Sequence, residues 1–248
     1  MVARSVRDAE VAGSNPVTPT NIFVYTVPMD IKASISEDHG IAALTDKDLN
    51  VLSVGISTGG VAEIRMAEAN PERHIIATTI DEKGLAFAQK YIAEKQLESQ
   101  IETKLEDVSE PLPYADGAFD FIYARLVLHY LPKTKLASTL AELHRVLKEG
   151  GKLYVVVRST DCPDAKRPDI HFDPETNLTS CTFVDEKTGK NVSYSRFFHT
   201  AESISEYVTG AGFSIEYTKA YDEQLYIDFM RTELSPQADN VIELLADK

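Results

Sequence analysis

The stretch Val51 to Gly60, Val-Leu-Ser-Val-Gly-Ile-Ser-Thr-Gly-Gly, constrains this chain more than any other. A short apolar run ends in a turn holding Gly55, Gly59 and Gly60, and a helix-like run, Val61 to Ala69, follows at once. Strand, glycine turn and helix together make the ligand-binding corner of a doubly wound α/β sheet. Gly55 lets the backbone approach a ligand closely, and the free N–H groups that open the helix face the same ligand.

The rhythm around that corner extends it into a sheet. His74 to Ile80 is a β-branched run and reads as a strand. Glu82 to Lys95 reads as a helix, with Leu85, Ala88 and Ile92 on one face. Ile101 to Glu106, Phe119 to Ala124 and Leu153 to Val157 read as further strands, the last almost wholly apolar, as a central parallel strand should be. Leu136, Leu140, Leu143 and Leu147 mark the buried face of the helix before Gly150-Gly151. The alternation predicts a parallel sheet covered on both faces. After Arg158 the rhythm breaks. Ser159 to Asn177 reads as loop, and Thr179–Asp185 and Asn191–Phe197 as a hairpin joined through Glu186 to Lys190. Thr200 caps a helix, with Ser203 where a capping box has Glu. A strand pair, Phe213–Ala220 with Gln224–Arg231, and a last helix, Pro236–Ala246, are expected to close the chain.

Four regions follow: a non-conforming leader, 1–28; a core, 29–158; a lid insertion, 159–199; and a completing segment, 200–248. In the leader, Gly13-Ser14-Asn15-Pro16 is what the T-arm of a tRNA gene would encode, so translation is expected to start at Met29. The formal net charge of −14 argues against an electrostatic grip on nucleic acid or an anionic membrane. No apolar run is long enough to span a bilayer. Cys162 and Cys181 are too few for a disulfide framework, and the expected location is cytoplasmic.

The segment Leu112 to Leu131, Leu-Pro-Tyr-Ala-Asp-Gly-Ala-Phe-Asp-Phe-Ile-Tyr-Ala-Arg-Leu-Val-Leu-His-Tyr-Leu, is more specific than the corner. It resembles the fourth-strand region of class I S-adenosylmethionine (SAM) dependent methyltransferases, most closely the subgroup that includes the ubiquinone/menaquinone-biosynthesis enzymes. Leu143 to Leu153, and more loosely Phe198–Ile204 and Ala211–Phe213, resemble the same family. The resemblance implies a Rossmann-like, doubly wound, seven-stranded α/β sheet with a β-hairpin lid. It implies SAM as cofactor and a small-molecule methyl acceptor.

It also implies roles. Gly55 and Gly59 would line the methionine half of SAM, an acid ending the second strand would hold the ribose hydroxyls, and Asp107 and the Val108 N–H would hold the adenine. Arg125 would meet the SAM carboxylate or an acidic acceptor. This chain departs from the family at three places: Ser53 stands where an acid is usual, Ser57 where a third glycine is usual, and Thr79 at the ribose-acid position, with Asp81 two residues on as the alternative. Methyl transfer needs alignment and, for a protic acceptor, a base. His129 is the candidate base. His171, Tyr194, Arg196 and His199, in or beside the insertion, are the candidate acceptor contacts, and no residue set here has metal-ligand spacing.

Overall fold

In the computed structural model, residues 35–56, 59–184, 189, 191–226, 231–235 and 237–248 are described. The leader, Met29, Ser57 and most of the join expected between the lid strands lie outside them.

The chain runs α1 (Ile35–Ala42), β1 (Asn50–Val54), α2 (Val61–Ala69), β2 (His74–Thr79), α3 (Glu82–Glu94), β3 (Ile101–Leu105), β4 (Phe119–Arg125), α4 (Lys133–Val146) and β5 (Leu147–Arg158). Strands β6 (Ile170–Asp173), β7 (Leu178–Val184) and β8 (Asn191–Arg196) form a separate antiparallel sheet, and α5 (Ala201–Gly210), β9 (Ser214–Glu223) and β10 (Asp239–Asp247) follow. The main sheet has seven strands in the order β3-β2-β1-β4-β5-β10-β9. The order reverses between β1 and β4, and the crevice at such a switch point is where ligands bind in open α/β sheets.

Alternate residues of the central strands feed two cores. Leu52, Val54, Ile122 and Val155 pack with Leu136, Leu140 and Ile204 from α4 and α5. Val51, Phe121, Tyr154 and Val156 pack with Met66 of α2 and Ile92 of α3 on the other face. Burial on both faces is why these strands read as continuous apolar runs.

Four expectations are corrected. The run Val241-Ile242-Glu243-Leu244-Leu245-Ala246 belongs to a strand and not to a terminal helix. It pairs antiparallel with both β5 and β9, and its side chains are buried on both faces. Leu, Glu and Ala favour helix locally, and the two open strand edges override that preference. The partner of β9 is therefore β10 and not Gln224–Arg231, of which residues 227–230 lie outside the described set. The insertion is not a plain hairpin: Ile170–Asp173, expected as loop, pairs with β7 to make three strands. Finally, β5 begins at Leu147, so Gly150-Gly151 lies within it. The β4–β5 register shifts there, and a Cβ on Gly151 would meet the Asp120 carbonyl oxygen at 2.9 Å.

Candidate functional site

The glycine corner sits at the C-terminal end of β1, beside the switch point. Gly55 has φ +82° and Gly60, which precedes α2, φ +55°; no side chain caps α2. The N–H groups of Gly55 and Ile56 both donate to the Thr78 carbonyl at 2.8 Å, which ties the corner to β2. The space where Gly55 lacks a Cβ is taken by Val127, whose Cγ2 would lie 2.8 Å from one. Close approach at Gly55 is thus first to the turn after β4. Gly59 is buried in the same corner.

Ser53 has a carboxyl beside it after all. Its hydroxyl donates to Glu63 Oε1 at 2.5 Å, and both side chains are buried. Burial raises the Glu63 pKa, and the Ser53 bond offsets this only in part. At the end of β2, the Thr79 hydroxyl accepts the Asp81 N–H at 3.1 Å. Asp81 Oδ1 accepts the Lys83 N–H at 3.0 Å and so caps α3. Past β3, Asp107 Oδ1 accepts the Ser109 N–H at 2.9 Å, and Val108 is buried.

Arg125 closes β4 and is not free at the crevice mouth. Its Nε donates to Ser36 Oγ at 2.6 Å, and its Nη2 lies 3.7 Å from Glu223. Ser36 also gives its hydroxyl and N–H to Glu223, so α1 is pinned over this corner by buried groups. Glu37 pairs with Arg65 at 2.8 Å and with Arg231. Burial alone would raise the Glu37 pKa, but the Arg231, Arg125 and Arg65 charges and hydrogen bonds hold it below the ordinary value.

The acceptor-side residues split into two groups. His129, Tyr194, Arg196 and His199 come together where β8 and the residues after it meet the turn that follows β4. The Phe197 N–H donates to the His129 carbonyl at 2.6 Å, the rings of Phe197 and His199 lie 4.0 Å apart, and Arg196 stacks over Tyr194 and Tyr130. His171 is exposed on β6 and does not join them. His129 is fully buried, and neither ring nitrogen has a hydrogen-bond partner; the same holds for His199 Nε2 and Arg196 Nε. Burial, reinforced by Arg158 and Arg196, holds the His129 pKa well below the ordinary imidazole value, and burial brings that of His199 down to about 3. Both rings are therefore neutral at physiological pH, and the burial that keeps them so also weakens them as bases.

An ion-pair chain fastens this roof. Arg196 meets Asp164 at 2.5 Å, Asp164 lies 3.7 Å from Arg158, and Arg158 meets Asp239 at 2.6 Å. The sequence reading passes over Glu63, Arg158, Asp164 and Asp239. Glu63 had a signal: a carboxylate in the first turn of the helix that directly follows the glycine corner. A cleft of about 470 Å³ opens at the opposite, N-terminal ends of the strands, beside Asn50, His74 and Phe119, and none of the expected site residues lines it. Among the described residues, no helix is long and apolar enough to cross a membrane.

Comparison with known proteins bears on the fold and the family. A family model described as a methyltransferase domain matches residues 51–151. The chain is 34% identical over 125 residues to a ubiquinone/menaquinone biosynthesis C-methyltransferase of Agrobacterium fabrum, covering 48% of this chain and 46% of that protein. It is 29% identical over 124 residues to a demethylmenaquinone methyltransferase of Listeria monocytogenes, covering 50% and 48%. The chain thus spans about half the length of the curated relatives it matches. In fold it is similar to a SAM-dependent methyltransferase structure from Methanosarcina mazei, with a TM-score of 0.65, 21% identity, and coverage of 83% and 94%. It is also similar in fold to a [4+2]-cyclase, with a TM-score of 0.58, 21% identity, and coverage of 86% and 80%.

Proposed function

The chain carries a class I SAM-dependent methyltransferase domain, and on that premise we propose that it transfers the methyl group of SAM to a small-molecule acceptor at the C-terminal edge of the sheet. The observation that carries this reading is the glycine corner at the β1–β4 switch point, inside the matched span. The donor set suits SAM: uncapped helix N–H groups, a strand-end carboxylate at Asp107, and a buried Tyr123 hydroxyl that has no hydrogen-bond partner. When bound, SAM supplies an electrophilic methyl group on a sulfonium.

The chain's residues then have these tasks. Asp107 and the Val108 N–H hold the adenine. Asp81, with Thr79 behind it, receives the ribose hydroxyls, and Gly55, Gly59 and Arg125 border the methionine half. Neutral His129 takes the acceptor's proton. Tyr194, Arg196 and His199 hold the acceptor, and the small sheet excludes water while acceptor, methyl and sulfur are aligned. Calorimetric titration with SAM and with S-adenosylhomocysteine tests the reading: saturable one-to-one binding of both is expected, and binding of neither removes it.

A second reading is a protein of this fold that does not methylate. The hydroxyls at Ser53 and Thr79 favour it, and the fold likeness to a [4+2]-cyclase is in keeping with it. Tight S-adenosylhomocysteine binding, with no methyl transfer to any of a broad acceptor panel, is its signature.

A further inference from the structure

The turn between β8 and α5 holds a histidine whose tautomer follows from counting protons. His199 is fully buried, and its backbone is fastened to the end of β5: its N–H donates to the Arg158 carbonyl at 3.0 Å, and its carbonyl accepts the Thr160 N–H at 2.9 Å. Its Nδ1 lies 3.2 Å from Ser203 Oγ in the first turn of α5. That oxygen has two other neighbours, the Thr200 N–H at 3.0 Å and the Thr200 carbonyl at 3.1 Å. A serine hydroxyl has one proton to give and two lone pairs to receive with. One lone pair takes the Thr200 N–H, and the proton goes to the Thr200 carbonyl. What is left facing Nδ1 is a lone pair, so Nδ1 carries the ring proton. The reverse arrangement, with the hydroxyl proton on Nδ1, leaves the Thr200 carbonyl contact without a hydrogen and makes one bond fewer. A neutral imidazole protonated on Nδ1 has a bare Nε2. His199 Nε2 is buried without a hydrogen-bond partner.

An unpaired buried polar atom is costly, so several in one place need a reason. Both ring nitrogens of His129 and the Nε of Arg196 are buried without partners as well, and His199 and Arg196 lie within electrostatic reach of His129. Arg196 spends Nη1 on Asp164, which leaves its Nε–H over as a donor. The set therefore offers a bare acceptor, a donor, and an imidazole with one of each. A carboxylate or an ether oxygen has no proton for His199 Nε2 and would set lone pair against lone pair. An ammonium has no lone pair for Arg196. A hydroxyl meets both needs on a single atom. Burial brings the His199 pKa down to about 3, so Nε2 receives such a hydrogen bond without removing the proton.

We propose that His199 Nε2 holds a hydroxyl of the methyl acceptor, and that Ser203 is the positioning residue that keeps this nitrogen unprotonated. The proposal rests on the acceptor reading above and deepens it: the site selects an acceptor with a free O–H beside His129 against the same compound with that oxygen already methylated. It also gives a reason for Ser203 where a capping box has Glu. A carboxylate would complete the cap equally, but beside the ring it would favour imidazolium, and Nε2 would then be a donor.

Long-range proton–nitrogen NMR correlation of the histidine rings reads the tautomer in the free protein. His199 should be protonated at Nδ1 in wild type, pass to the Nε2-protonated form or a mixture in Ser203→Ala, and return to the Nδ1 form in Ser203→Thr. Phenol and anisole, added at equal concentration to the protein loaded with S-adenosylhomocysteine, then probe the bare nitrogen. Phenol should move the His199 Nε2 resonance and anisole should leave it in place. Ser203→Ala should lose the phenol response with S-adenosylhomocysteine affinity unchanged. An Nε2-protonated ring in wild type, an equal response to both probes, or a response to neither overturns the proposal. If Ser203→Ala does not fold, the wild-type tautomer and the phenol–anisole contrast decide. A chain that binds no S-adenosylhomocysteine removes the SAM reading, whereas the tautomer is read without cofactor and stands or falls by itself.

Discussion

Asp107 and Asp81 look alike in sequence, each an acid at a strand end, but local hydrogen bonding gives them different consequences. Asp107 closes a two-residue turn onto Ser109 and carries no helix. Asp107→Ala should therefore weaken S-adenosylhomocysteine binding by roughly ten- to a hundredfold, the value of a charged hydrogen bond of about 1.5–3 kcal/mol, with little change in melting temperature. Calorimetry and a thermal melt check the two halves. Asp81 caps α3, so Asp81→Ala should cost about 1 kcal/mol of stability as well as affinity, whereas Asp81→Asn keeps the cap and isolates the loss of charge. If Asp81→Asn binds as wild type does and Thr79→Asp binds more tightly, the ribose contact belongs to position 79. The sequence located these residues because strand ends and glycine turns are local signals. It could not show Ser53 meeting Glu63, because that contact depends on how α2 rolls against β1. Nor could it show Arg125 spoken for by Ser36 and Glu223, residues 89 positions before it and 98 after it in the chain.

The insertion was legible as a long departure after β5, since a forty-residue return is far beyond the usual strand-to-helix link. Its third strand was not legible, because Pro and Asp on either side of Ile170–Asp173 mask a four-residue run. The element's attachment is now specific. Arg196 of β8 reaches Asp164, and Asp164 leads through Arg158 to Asp239 at the start of β10. Asp164→Asn removes the charge that links the two arginines. The expected result is faster hydrogen exchange at the β8 amides, with S-adenosylhomocysteine affinity within about twofold of wild type, since no residue assigned to SAM lies in that chain. Unchanged exchange would mean that apolar packing by Cys181, Tyr194 and Phe198 alone holds the sheet down. The capping box of α5 shows a smaller gap between sequence and structure. Ser203 fills the position usually held by Glu, its hydroxyl accepting the Thr200 N–H while Thr200 Oγ1 accepts the Ser203 N–H, so a hydroxyl suffices where the sequence pattern asked for a carboxylate.

Across the whole molecule, buried titratable groups set a pH window for stability. Burial keeps His129 and His199 neutral in the fold, while in the unfolded chain they take up protons below about pH 6.5. The unfolded state then binds more protons, so these groups subtract stability as pH falls from about 6.5 towards 3. Glu63 acts in the opposite sense. Its raised pKa lets the fold hold a proton that the unfolded chain has lost, so its contribution falls as pH rises above the ordinary carboxylate value. Melting temperature against pH should therefore show a flatter acid limb in His199→Asn and a flatter neutral limb in Glu63→Gln, each relative to wild type. The sheet itself depends on β10, whose Leu244 is fully buried between β5 and β9. Leu244→Ala should cost about 2–5 kcal/mol by denaturant titration. That strand follows β5 by some eighty residues, yet it lies between β5 and β9. During synthesis the β5 edge therefore stays bare until residue 247 has cleared the ribosome, an open apolar template of the kind on which nascent chains stick to one another. Closure of the main sheet thus waits on β10, the strand that joins β5 to β9.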